Sequence, residues 1–359
     1  MRYRSLAISA VGVVIAFAIT ATSPGRVAAD AAQCQQVSIP VTLSSLDPTA
    51  YHIAGKLCWQ GTLAGKTMQL LVHGYTYDQN YWDFPYQQPA YSYVTAATQA
   101  GYATLAIDRI GVGQSDHPLP ELVTTISEGY TIHEIVQDLH SGTIGSTAFP
   151  KVVLVGHSLG TLIAWQEAAT YQDVSGVIAS GWLHTLNPTA AASILAATYP
   201  ADLDPKFANS GLPVGYVTTL PGTRGPLFYN TADADPNVIA LDEQMKQTGT
   251  DGEELTFPAG EDPLLTLSIH APVLAAVGQS DSIFCVPLLL SCNTNTAVKN
   301  REQAFYNPDT CLEGYALPGS GHDMNLHLNA TTWFNAANDW IARRVGATAT
   351  TDPTQPCAP

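Results

Sequence analysis

Residues 151–171, KVVLVGHSLGTLIAWQEAATY, set an apolar run directly before a helix-like stretch, with only GHSLG between them. A short run such as VVLV suits a strand buried on both faces, and TLIAWQEAATY suits a helix. Joining the two so abruptly demands a sharp turn. Glycine is needed at Gly156 and Gly160, because a side chain there would collide with the neighbouring strand or helix. Ser158 then stands at the tip in a strained backbone conformation, beside the positive end of the helix dipole. The glycines hold a hydroxyl in place.

The strand-to-helix pattern recurs along the chain. Strand candidates are MQLLVHG (68–74), YATLAIDRIG (102–111), KVVLVG (151–156), VSGVIASG (174–181), PVLAAVG (272–278) and LEGYALPG (312–319). Helical stretches such as YSYVTAATQAG, TIHEIVQDLHSG and TLIAWQEAATY lie between them. Apolar strands alternating with amphipathic helices predict an α/β fold whose mostly parallel sheet is covered on both faces. Ahead of these, QVSIPVTL and YHIAGKLCWQ alternate as an antiparallel pair. From about Leu183 to Ile269 the rhythm lapses, which predicts a cap inserted over the carboxyl edge of the sheet. Its Tyr199, Phe207, Tyr216, Phe228 and Tyr229 suit an apolar pocket lining, although aromatics more often form a cap's own core. The expected division is a leader at 1–29, core at 30–182, cap at 183–269, core at 270–345 and a tail at 346–359 pinned by Cys357.

GHSLG matches G-x-S-x-G in its informative setting, between a strand and a helix. With that motif the sequence resembles the α/β-hydrolase family over nearly all of the chain after the leader. The resemblance implies an eight-stranded type of sheet with an inserted cap, and catalytic residues in the order Ser, Asp/Glu, His. PVLAAVGQSDSIF supplies Asp281 just past one late strand, and YALPGSGHDMNLH supplies His322 past the last. Ser158 would be the nucleophile, His322 its base, and Asp281 the carboxylate that orients the imidazole. The N–H groups of Leu159 and of Tyr75, after the His73-Gly74 turn, would bind the developing oxyanion.

Other residues compete less well. Asp323 adjoins His322, and adjacent side chains diverge. Asp108, in DRIGVGQS, reads as a loop-shaping D-x-x-G-x-G-x-S turn. His73 and His157 read as packed and hydrogen-bonded. His322 and His327 are five apart and no HExxH occurs, so no metal is expected. GVGQS has too few glycines for a phosphate cradle, and no cofactor is expected.

The expected activity is carboxylic ester hydrolysis through an acyl-enzyme on a small-molecule or lipid-like substrate. Amidase or aminopeptidase action, with DGEELTFPAGED as an acidic selector, is an alternative, and that stretch reads more simply as an acidic surface loop. A lactonase and a non-catalytic binding protein are further alternatives. Serine at position 158 argues against the family's haloalkane dehalogenases and epoxide hydrolases, which carry aspartate there.

The 359 residues are 46% hydrophobic and 12% charged, which is ample for a large core. A formal charge of −16 disfavours nucleic acid and anionic membranes as partners. Arg2 and Arg4, an apolar run from Leu6 to about Ala21, and small residues near Val27–Ala29 have the anatomy of a secretory signal. Cleavage after Ala29 or Ala31 would remove three arginines and no acid at the first site, taking the charge from −16 to −19. The apolar run falls short of the roughly 20 residues of a spanning helix, so no stable membrane anchor is expected. Six cysteines behind a signal favour three disulfides. Joining neighbours, and tying the tail to a strand, favours Cys34–Cys58, Cys285–Cys292 and Cys311–Cys357.

Overall fold

The computed structural model describes Met1 and residues 32–357. The expected leader at 1–29 lies outside the described residues, Met1 apart. Strands β1 (Gln33–Val41) and β2 (Tyr51–Trp59) pair antiparallel, from Gln33 opposite Trp59 to Val41 opposite Tyr51. Cys34 faces Cys58 in this register, and a disulfide joins them. Next come β3 (Met68–Val72), α1 (Tyr93–Gln99), β4 (Ala103–Ile107), α2 (Thr125–Ser141), β5 (Val152–His157), α3 (Leu159–Tyr171) and β6 (Gly176–Ser180). Strands β3 to β6 are buried along their whole length, as continuous apolar runs require.

Between β6 and the next strand of this sheet lie α4 (Pro188–Ala196), β7 (Thr198–Pro200), β8 (Tyr216–Thr219), α5 (Arg224–Phe228), α6 (Pro236–Met245), β9 (Gly249–Thr250), α7 (Asp251–Gly260) and α8 (Pro263–Thr266). Here β7, β8 and β9 form a separate small antiparallel sheet. The chain then returns through β10 (Val273–Gly278), α9 (Asn295–Glu302), β11 (Glu313–Leu317) and α10 (Ala330–Arg344). The main sheet has eight strands in the order β1-β2-β4-β3-β5-β6-β10-β11. It is parallel from β4 to β11, and β2 alone runs opposite to the rest, antiparallel to both β1 and β4. Parallel neighbours need crossovers, which the helices supply on both faces. The buried spacing of α10 (Trp333, Phe334, Ala337, Trp340 and Ile341) is that of one helical face.

Three boundaries differ from the sequence reading. The strand read as 102–111 stops at Ile107, because residues 108–115 fold into a tight loop around Asp108. Its carboxylate accepts from the N–H groups of Gln79 and Gln114, each at 2.9 Å, and the Ser115 hydroxyl donates to its carbonyl at 2.6 Å. Burial, then the nearby Asp78 charge, pushes the Asp108 carboxyl up to about 6. The helix read from 131 starts at Thr125, where Thr124 and Ser127 cap it reciprocally. DGEELTFPAGED is mostly the helix α7, capped by Thr250 and Glu253, where the sequence reading had an acidic surface loop. Disulfides also join Cys285 to Cys292 and Cys311 to Cys357.

Candidate active site

Strand β5 and helix α3 meet at Ser158, whose backbone sits at φ 53°, ψ −122°. Such a conformation costs a non-glycine residue about 1–3 kcal/mol and persists only when the surroundings over-determine it. They do so here. The Ser158 N–H donates to the Ser180 carbonyl at 2.8 Å, and the Thr161 hydroxyl donates to the same carbonyl at 2.9 Å. A Cβ on Gly160 would stand 2.2 Å from the Val72 carbonyl oxygen, and one on Gly156 would stand 2.5 Å from that of Gly160. Both glycines are therefore steric requirements of a helix pressed against the sheet.

Asp281 and His322 leave the ends of the neighbouring strands β10 and β11. Backbone bonds zip their two loops together, with Gln279 N–H to the Leu317 carbonyl at 2.9 Å and Ser280 N–H to that of Ser320 at 2.8 Å. The result is a 2.9 Å contact between His322 Nδ1 and Asp281 Oδ2. The second Asp281 oxygen accepts from the Ile283 N–H at 2.9 Å. Burial lowers the His322 imidazole, but the charge and hydrogen bond of Asp281, with the Asp323 charge, more than offset it. The net shift is upward from 6.5.

His73 and Gly74 follow β3 and lie against the same turn, where a Cβ on Gly74 would approach Ser158 Cβ to 3.0 Å. His73 is locked by its backbone contacts: Nδ1 lies 2.9 Å from the Gly74 carbonyl, and Nε2 accepts from the Arg109 N–H at 3.0 Å. Burial, with the Arg109 charge, holds its imidazole well below 6.5. The next N–H, of Tyr75, and the first N–H of α3, of Leu159, have no hydrogen-bond partner among the described residues. Two unpaired donors thus flank Ser158.

The remaining histidines and acids have other tasks. His157 stacks on Tyr81 with ring centroids 4.3 Å apart, and its Nε2 lies 3.3 Å from Asp323. Burial, then the His322 charge, holds it well below 6.5, so it is a neutral packing residue. Asp323 accepts from the Tyr77 hydroxyl and does not face the His322 Nδ1 partner position. His327 spends both nitrogens on backbone, with Nδ1 2.8 Å from the Asp323 carbonyl and Nε2 accepting from the Gly321 N–H at 2.9 Å.

Two buried charge networks were invisible in the sequence. Arg109 reaches Glu128 of α2 and Glu253 of α7. Burial holds the Glu128 carboxyl well above the usual range, with the Glu253 charge adding to this and Arg109 opposing it. Arg224 grips Asp242 through two bonds of 2.9 and 3.0 Å and lies 4.0 Å over the Tyr77 ring. Tyr229 donates to Asp242 at 2.9 Å. Only proximity in the fold reveals these groups, since their members are far apart in the chain.

Ser158 and His322 open into one cavity of about 220 Å³. Its walls are mainly apolar, with Trp182, Leu186, Ile194, Phe228, Phe257 and Phe284 contributing. Of the five aromatics that the sequence offered for this lining, only Phe228 lines it. Phe207 and Tyr216 form a small cluster with Ala201, Tyr229 joins the main core, and Tyr199 donates to Asp204 at 2.6 Å. Glu254 also borders the cavity, but its carboxylate accepts from the Tyr75 hydroxyl at 2.9 Å. Among the described residues, no helix is long and apolar enough to cross a membrane.

The "Alpha/beta hydrolase family" description matches residues 69–337 of the chain. Among curated proteins, "Epoxide hydrolase 3" of Xenopus tropicalis is 33% identical over 107 residues, which are 30% of this chain and 25% of that protein. The chain thus matches only about a quarter of that relative's length. Among solved structures, the fold is similar to a soluble variant of monoglyceride lipase from Saccharomyces cerevisiae, at TM-score 0.59 and 18% identity. That likeness covers 92% of this chain and 100% of the other. It is also similar to the enol-lactonase from Burkholderia xenovorans LB400, at TM-score 0.55 and 14% identity, over 81% and 97% of the two chains.

Proposed function

The chain belongs to the alpha/beta hydrolase family, and from that premise we propose that it is a serine hydrolase cleaving carboxylic esters. The single observation that carries the proposal is that the strained Ser158 and His322, the latter paired with the buried Asp281, open into one apolar cavity flanked by two unpaired N–H groups. His322 Nε2 takes the Ser158 proton as Oγ attacks the ester carbonyl, and Asp281 holds Nδ1–H and stabilises the imidazolium. The carbonyl oxygen becomes an oxyanion held by the Tyr75 and Leu159 N–H groups. His322 returns its proton to the leaving alcohol, leaving an acyl-serine. Water, deprotonated by the same imidazole, then releases the acid.

An aspartate occupies the nucleophile position in the family's epoxide hydrolases, so serine at 158 favours acyl transfer over epoxide opening. The cavity's apolar walls favour an apolar acyl or alcohol group. Secretion is part of this proposal, supported by the leader's anatomy and by three disulfides, which persist in oxidising compartments. The engagement of Glu254 by Tyr75 weighs against its use as an amino-terminus selector.

A fluorophosphonate probe is expected to label Ser158 in the folded protein. Turnover of p-nitrophenyl esters of two chain lengths, beside an aminoacyl p-nitroanilide, tests the substrate class. Anilide turnover without ester turnover would sink the ester reading, and absence of labelling would favour a binding protein.

Two further outcomes are expected. The base must be neutral to work, and its pKa is raised, so kcat/KM falls with decreasing pH along a limb centred above 6.5. Asp281→Asn removes the main raising influence and should displace that limb to lower pH, beside a large loss of rate. A limb that Asp281→Asn leaves in place would contradict the assigned base. Leu186→Trp fills part of the cavity. It should lower kcat/KM on the longer p-nitrophenyl ester about tenfold more than on the shorter, and equal losses on both would place the acyl group elsewhere.

A further inference from the structure

We propose that His133, Glu167 and Asp173 form a divalent-cation site, suited to Zn²⁺, that ties the C-terminal end of α3 to α2. The three residues come from α2, α3 and the segment just after α3. One ligand atom from each lies within 4.8 Å of the others. His133 Nδ1 is 2.9 Å from Asp173 Oδ2 and 3.9 Å from Glu167 Oε1. Tetrahedral zinc with bonds of about 2.1 Å separates its ligand atoms by about 3.4 Å, between the two observed spacings. Small side-chain adjustments would therefore close the site around the ion.

The decisive feature is Glu167. Its side chain is fully buried, and neither carboxylate oxygen receives an N–H or a hydroxyl donor; the polar groups it faces are the Asp173 carboxylate and His133. Among the described residues, no lysine or arginine pairs with it or with Asp173. Asp173 Oδ1 is also unpartnered, and His133 Nδ1, although close to Asp173, is not aligned for a hydrogen bond. An ionised Glu167 would be a buried charge without a donor, and a cation supplies what these four atoms lack.

The surroundings hold the ligands in position. The His133 ring lies flat on Tyr171, with centroids 3.7 Å apart. Gln137 Nε2 donates to Asp173 Oδ2 at 2.6 Å, and His140 Nε2 is 3.0 Å from the Asp173 carbonyl. The side chains of His133 and Asp173 are 22% and 20% exposed, so the trio lies close to the surface. The rival arrangement is a protonated Glu167 that shares its proton with Asp173. Burial, then the Asp173 bond and charge, pushes Glu167 up to about 10. Zinc would displace that proton, because a ligating carboxylate must ionise.

The site is separate from the cavity, so the test is independent of the proposed activity. Zn²⁺ is titrated calorimetrically into protein freed of metal by chelation and dialysis. One ion per chain is expected, with a rise in the melting midpoint of roughly 4 °C at a hundredfold excess over Kd. Glu167→Gln and Asp173→Asn should each weaken binding at least tenfold and abolish the rise. His322→Ala should leave both unchanged, although His157, His322 and Asp323 are a second trio within reach of an ion. No binding to the unaltered protein, binding that survives Glu167→Gln, or binding lost only in His322→Ala would each overturn the proposal. Should Glu167→Gln fail to fold, the partly exposed Asp173→Asn carries the same comparison.

Discussion

Ser158→Ala is expected to lower kcat/KM on p-nitrophenyl esters by at least about 10⁴-fold, and His322→Ala by a similar factor. Both variants should keep their circular dichroism and melting midpoint within a few degrees of the parent. Alanine can occupy the φ of 53° at position 158 with the same backbone strain as serine, and the hydroxyl forms no hydrogen bond on which the turn depends. The two losses should not add. A nucleophile without its base and a base without its nucleophile fail at the same step, so the double variant should resemble either single one. Residual turnover would come from the Tyr75 and Leu159 N–H groups and from binding alone. Appreciable activity in His322→Ala would show that the base is misassigned.

Arg224→Leu should cost about 3–5 kcal/mol of stability, read as a lower midpoint in urea unfolding. The guanidinium is fully buried and makes two bonds to Asp242, which also receives the Tyr229 hydroxyl. Removing it strands a carboxylate in the interior. Asp323 shares the same surroundings through Tyr77, so the loss should reach the loop that carries His322 and reduce turnover as well. The double variant Arg224→Leu, Asp242→Leu removes both charges and should recover part of the lost stability. A cost below about 1 kcal/mol for the single variant, or a double variant less stable than it, would mean that this pair is not held ionised.

The serine turn and the alternation of strands with helices were legible because both are local. Chain directions that alternate between strand and helix periodicity specify a parallel sheet, and glycines at 156 and 160 mark where the helix must approach the strands. Asp281 and His322 were legible through the resemblance, which calls for an acid and then a histidine past late strand ends, and parallel strands deliver all their carboxyl ends to one edge of the sheet. The lining was not legible. Trp182, Leu186, Phe257 and Phe284 are ordinary apolar residues until the chain brings their separate segments together over Ser158. The same limit hid the fate of DGEELTFPAGED. Its Glu253 is drawn inside by Arg109, more than a hundred residues away in the chain.

Sequence alone therefore determined the α/β architecture and the strained serine turn. These follow from steric and periodic rules that act over a few residues. Tertiary structure decided the shape of the cavity, the pairing of buried charges and the unpartnered Glu167 between two helices. Each depends on which distant surfaces meet, and a residue's apolar or charged character says that it needs a partner without saying which one it finds.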